Sequence, residues 1–170
     1  MDASAQTVIS YRWATAEDYE TLGKIMFAAI HAEPSPYTPA QRLAWCPKPP
    51  SGADWMAKLA SQQVAVVEID QKLVGMMTLE ETGYLDLAFL LPQARGQGHL
   101  AKLLEMIKDR VRDYKLDKII THASLAAQSP FTALGFHTLH HESVPRNGET
   151  LQRAEMRLEL KNTGRDASIR

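Results

Sequence analysis

The stretch Gln93-Ala94-Arg95-Gly96-Gln97-Gly98-His99-Leu100-Ala101 constrains this chain more than any other. It joins an apolar run of strand character, Tyr84 to Leu91, to a long amphipathic segment, Leu100 to Tyr114. Two glycines at a strand-to-helix junction let the backbone turn tightly and approach a ligand closely. Successive amides there, with the positive end of the following helix, make a cradle for phosphate oxygens. A Gly-x-Gly turn alone serves packing as readily as it serves a ligand, so its surroundings decide.

Those surroundings alternate in period. Val8 to Trp13 reads as a strand, and Thr15 as an N-cap with Glu17 and Asp18 in the first turn. Leu22, Ile25, Met26, Ala29 and Ile30 recur at helical spacing up to Pro34. Six of the nine prolines fall between Pro34 and Pro50, which bars a long regular element there. Pro39 to Trp45 allows a short helix, and Asp54 to Gln62 suggests another. Val64 to Ile69 and Leu73 to Leu79 read as strands around an Asp70-Gln71 turn. After Gly98, Leu100, Leu103, Leu104, Ile107, Val111 and Tyr114 share one helical stripe. A parallel-type strand over Lys118 to His122 and a helix over Ala126 to Leu134, ended by Gly135, follow. Phe136 to His141 and Leu151 to Leu160 read as strands linked by a loop holding Asn147-Gly148. The order β-α-α-β-β-β-α-β-α-β-β predicts one α+β domain over 1–160. Its sheet is mixed, with one βαβ crossover and helices on both faces. A frayed tail is expected over 161–170.

Composition narrows the function. A net charge of −1 over 170 residues gives no electrostatic case for nucleic acid or an anionic membrane. No apolar run approaches a membrane span, and the first residues carry no signal-peptide pattern. A single cysteine, Cys46, excludes an internal disulfide and suits a reducing cytosol; a cytoplasmic monomer or homodimer is the expectation. No catalytic-cysteine signature surrounds Cys46. His137, His140 and His141 suggest a metal at first sight, but regular alternation places His140 on the face opposite the other two, so no metal site is expected.

The pattern Gln-x-x-Gly-x-Gly after a strand ending Leu90-Leu91-Pro92 resembles the acyl-CoA pyrophosphate loop of the GNAT N-acetyltransferase superfamily. Ser124-x-x-Ala127-x-x-x-Phe131-x-x-Leu134-Gly135-Phe136 is similar to a second GNAT pattern, with Ser for its Asn and Phe for its Tyr. Arg146-Asn147-Gly148-Glu149-Thr150-Leu151, followed by Glu155-Met156, looks like the last hairpin of a bacterial GNAT subgroup. The likeness covers residues 8 to 160. It implies the α/β/α GNAT fold, a mostly antiparallel sheet of six to seven strands splayed between strands 4 and 5. It also implies direct acetyl transfer from acetyl-CoA to the primary amine of a small molecule or an exposed protein amine.

The likeness assigns roles. Ala88, Phe89 and Leu90 would edge the splay and pair with pantetheine, and Arg95, Gly96, Gln97, Gly98, His99, Leu100 and Ala101 would form the pyrophosphate cradle. Arg95 would add charge there, whereas His99 is expected on the helix surface. Ser124 either bonds pantetheine or caps the next helix. Tyr37, Trp45 and Tyr84 are expected on the acceptor side, with Trp55 as a further wall. Asp86 is the one carboxylate in an apolar strand. Strand alternation puts it with Tyr84, Ala88 and Leu90, about 6–7 Å from Ala88. It is read as base or amine anchor, against a structural pairing; Glu80, Glu81 and His122 are the runners-up. Phe131 has no proton for a leaving thiolate. The alternative is therefore an acyl-CoA-binding regulatory or scaffold module with little turnover.

Overall fold

Residues 5–161 of the chain are described by the computed structural model. The expected tail lies, apart from Lys161, outside them. Strand β1 (Ile9–Trp13) leads through a 3₁₀ turn (Ala16–Asp18) into α1 (Tyr19–His31), α2 (Pro39–Trp45) and α3 (Gly52–Ala60). Then come β2 (Gln63–Ile69), β3 (Lys72–Leu79) and β4 (Tyr84–Leu90), a 3₁₀ turn (Pro92–Ala94), and α4 (His99–Asp113). The chain continues through β5 (Lys118–Ser124), α5 (Leu125–Ala133), β6 (His137–Arg146) and β7 (Glu149–Glu159). Three helices, not two, separate β1 from β2, because Thr38 and Gln41 form a capping box that starts α2 at Pro39. The last two strands are longer than expected. Asn147 and Gly148 both have positive φ, 47° and 83°, so two residues close the hairpin and the strands run up to them.

The seven strands form one sheet in the order β1-β2-β3-β4-β5-β7-β6. Every neighbouring pair is antiparallel except β4 and β5, which meet only at Tyr84–Ile120 and Leu85–Thr121. Beyond Leu85 those two strands separate. One apolar cluster joins α4 and α5 to one face of the sheet, through Leu103, Leu104, Ile107 and Phe131 against Met77, Leu85 and Leu90. The other joins α1 and α3 to the opposite face, through Leu22, Ile25, Trp55 and Leu59 against Val64, Met76 and Leu87.

Leu85 and Leu87 therefore pack on opposite faces, which contradicts the regular alternation expected of β4. The register supplies the reason. Leu85 to Ala88 stands opposite Leu79 to Met77, so β4 carries one extra residue, a β-bulge. Buried Thr78 holds it, its hydroxyl accepting from the Leu87 amide at 3.0 Å. A second bulge lies in β6, between Thr138 and His140. His140 stands opposite Glu155 and His137 opposite Arg157, one face, while His141 opposes Ala154 on the other. Thus His141, not His140, is the odd one out.

Helix α1 contains Gly23, whose added Cβ would lie 2.0 Å from the Pro50 carbonyl oxygen. In an exposed helix Gly→Ala gains about 1 kcal/mol. Here Gly23→Ala is expected to cost about 1–3 kcal/mol, as overpacking does. A lowered urea midpoint at unchanged slope is the expected measurement; a raised midpoint would show that the Pro50 segment yields freely.

Candidate active site

The separation of β4 from β5 leaves a sheet edge inside the protein. The Leu91 amide donates to Val74 O at 2.8 Å, so alternation turns the backbone groups of Leu90 and Ala88 away from β3, toward the gap. A cavity of about 480 Å³ follows that edge, from Gly96, Gly98 and the first turn of α4, past Ala88, Phe89 and Leu90, to Ser124 and Phe131. Its size and largely apolar walls suit an extended organic ligand.

One end of this cavity is built for an anion. Gly96 and Gly98 have φ of 74° and 85°, and a Cβ added to either would meet nothing within 4 Å. Gly98 is the N-cap of α4, no side chain caps the helix, and its first turn holds no acidic residue. The leading amides of α4 thus face the cavity with nothing in front of them, which fits a phosphate group.

Three cradle residues behave otherwise than expected. Arg95 bonds Leu90 O through Nε at 3.3 Å and Ala29 O through Nη2 at 3.1 Å; its guanidinium ties the loop to β4 and α1. His99 is buried, 1% exposed, with Nδ1 2.7 Å from the Tyr11 hydroxyl and Nε2 3.2 Å from Gln97 Oε1. The first turn of α4 faces the sheet, so its polar ring needs and finds partners. Gln97 points away from the cavity and bonds Gln93 O at 2.9 Å.

A second, more polar cavity of about 220 Å³ lies on the α1/α3 side of β4. Tyr37, Trp45, Ala88, Phe89, Ser124 and Phe131 line both cavities, so the two meet at the open edge. Tyr37 and Trp45 pack edge to face at 5.8 Å, and Trp45 lies 6.1 Å from Phe89. The Tyr37 hydroxyl is already committed: it donates to Gln152 O and accepts from the Leu125 amide at 3.0 Å. It therefore supplies the cap bond at the α5 N-terminus that Ser124 does not make, and the Ser124 hydroxyl is left to the cavities. Trp55 is no wall residue; it is 6% exposed and its indole bonds Tyr19 O at 2.7 Å. Phe131 packs at 4.9 Å against Phe136, with one edge on the cavities.

The bulge turns Asp86 to the α3 side rather than to the face of Ala88. There its carboxylate is 3.2 Å from Lys58 Nζ and accepts from Gln62 Nε2 at 2.8 Å. The carboxylate is thus already held by a cation and an amide. A different chain of groups crosses the cavity floor. The Tyr84 hydroxyl is 2.7 Å from His122 Nδ1, His122 Nε2 is 3.4 Å from Glu142 Oε1, and the same oxygen takes Arg153 Nε at 2.6 Å. The Arg153 hydrogen bond holds the Glu142 carboxyl below its usual range. Burial pushes the Tyr84 hydroxyl up, keeping it protonated. Sequence reasoning missed Thr78, Gln62, Lys58, Glu142 and Arg153; only Thr78, polar within an apolar strand, carries a local signal. Cys46 is buried, and burial raises its thiol, which removes it as a nucleophile. Among the described residues no group of three or more His, Cys, Asp and Glu could hold a metal.

The family model described as an acetyltransferase (GNAT) domain matches residues 48–160, more than half of the chain. The chain belongs to the GNAT acetyltransferase family. It is an N-acetyltransferase, and the open glycine cradle and uncapped helix fit the pyrophosphate of acetyl-CoA. Solved GNAT structures share the fold. A GCN5-related N-acetyltransferase from Rhodopseudomonas palustris matches with TM-score 0.82 and 22% identity over 89% of this chain and 95% of that one. A ribosomal-protein-alanine N-acetyltransferase from Brucella melitensis gives 0.67 and 19% over 89% and 99%. A GNAT phosphinothricin acetyltransferase from Sinorhizobium meliloti, in complex with acetyl-CoA, gives 0.69 and 19% over 89% and 88%. No curated protein matches at a significant level. No helix among the described residues is long and apolar enough to cross a membrane.

Proposed function

We propose direct acetyl transfer to a small primary amine held in the polar cavity, with Tyr84 and His122 taking the amine's proton. The meeting of the two cavities at Ala88 and Phe89 carries this reading. One cavity reaches a phosphate cradle, the other a proton relay, and the free backbone edge lies between them. Bound acetyl-CoA supplies the acyl carbon that a neutral amine attacks. The amides of Ala88 and Leu90 donate to the arm and to the oxygen on which charge develops. We assign the His122 ring proton to Nε2, toward Glu142, so that Nδ1 accepts from the Tyr84 hydroxyl. Tyr84 then passes its proton to His122 as it takes one from the attacking amine, with Glu142 facing the imidazolium; collapse of the adduct breaks the C–S bond, coenzyme A leaves as thiolate, and the thiolate takes its proton from solvent. Asp86 fixes Lys58 in the cavity wall and accepts from buried Gln62. A binding module without turnover rested mainly on Phe131, and the relay supplies proton handling from other strands. Thiol release from acetyl-CoA, followed with and without a panel of amines, tests the reading. Amine-dependent release with acetylated product is expected; release equal in the absence of amine would overturn it.

A further inference from the structure

The charge of the acceptor cavity narrows the amine, given the transfer reading above. We infer that the acceptor carries an anionic oxyacid group beside its amine, seated against Arg146 and Arg153 of the last hairpin. Four ionised side chains line this cavity: Lys58, Asp86, Arg146 and Arg153. Three are cations, although the whole chain carries −1. Lys58 and Asp86 offset each other as a 3.2 Å pair. Arg153 gives Nε to Glu142 at 2.6 Å, an ion pair that offsets its charge and leaves Arg146 as the surplus, while its terminal nitrogens make no hydrogen bond among the described residues. Its charge reaches the hydroxyls of both Tyr37 and Tyr84, lowering each against the larger effect of burial. The guanidinium therefore sits beside the aromatic partition, next to the relay. Arg146, at the end of β6, forms no ion pair among the described residues and lies on the same wall.

An amine enters as an ammonium, and a surplus of positive charge disfavours it unless the same molecule brings a negative group. Arginine forks match the two oxygens of a carboxylate or phosphonate in a way that lysines do not. With the oxyanion on the hairpin arginines, the amine end of a short molecule is directed inward, toward Tyr84. The arrangement disfavours diamines, polyamines and lysine-rich peptide tails.

A matched series tests this: a short amino carboxylate, its carboxamide, the corresponding aminophosphonate and a diamine of equal length, each with acetyl-CoA. The carboxylate or phosphonate is expected to exceed the amide in kcat/KM by at least about tenfold, with the diamine lowest. The two oxyacid arms show which oxyanion is preferred. Arg146→Gln is expected to narrow the acid-to-amide ratio about tenfold, chiefly through KM, and Arg146→Glu to favour the diamine over the acid. Amide or diamine used as well as the acid, or an Arg146→Gln effect equal across the series, would overturn the inference. Transfer to no member of the series, with acetyl-CoA still bound, would instead overturn the transfer reading, and the inference with it.

Discussion

Gly98→Val is expected to abolish tight acetyl-CoA binding in a protein that remains folded. Gly98 holds φ 85° at the N-cap of α4, where a side chain costs roughly 1–2 kcal/mol of backbone strain. That is a fraction of an ordinary domain stability of about 5–15 kcal/mol. Binding suffers more. A Cβ there projects into empty space in front of the helix amides, the space a pyrophosphate needs. Each charge-assisted bond lost removes about 1.5–3 kcal/mol, and tenfold in affinity corresponds to about 1.4 kcal/mol. Loss of two bonds therefore predicts a fall of about a hundredfold or more. Gly52→Val is the control: Gly52 has φ 84° and the same open surroundings, but lies at the start of α3. It should show the strain without the affinity loss. Calorimetry with CoA reads both, and unchanged affinity in a folded Gly98→Val protein would refute the cradle.

Tyr84→Phe and His122→Gln are each expected to lower kcat/KM by about 10²–10⁴-fold, the usual contribution of a positioned base. The phenol alone is a poor base, because burial raises it. It works by handing its proton to His122 over 2.7 Å, so removing either member breaks the same transfer. The double variant should be little worse than either single one, as for groups that act as a unit. Asp86→Asn should act mainly on KM, through the released Lys58. Full kcat/KM in Tyr84→Phe, or a fall in kcat as deep in Asp86→Asn as in His122→Gln, would move the base away from His122.

The cofactor half of the site was readable in the sequence because it is local. A strand, two glycines and a helix N-terminus lie within nine residues, and conformational demand alone selects those residue types. The acceptor half depends on contacts far apart in sequence. Asp86 meets Lys58 and Gln62 from another element, and His122 reaches Tyr84 and Glu142 across three strands. Regular alternation failed twice, in β4 and in β6, each time at a bulge that period-2 reasoning cannot see. His99 failed for another reason. Helical periodicity ranks histidine as a surface residue, and only the fold reveals Tyr11 waiting for it.

Strand β4 must supply two cores and two ligand cavities at once, and the bulge works as a phase slip that lets it do so. Before the slip, Leu85 fills the α4 side and Tyr84 the acceptor side; after it, Leu87 and Phe89 look toward α1 while Ala88 and Leu90 look back. Removing residue 86 or 87 would remove the extra residue and restore regular alternation, leaving Tyr84, Leu85, Ala88 and Leu90 on their present faces. What would be lost is the second of two successive residues on one side, either the Asp86 carboxylate or the Leu87 core contact. The slip thus lets cavity wall and core be written in adjacent letters, where a regular strand would have to choose between them.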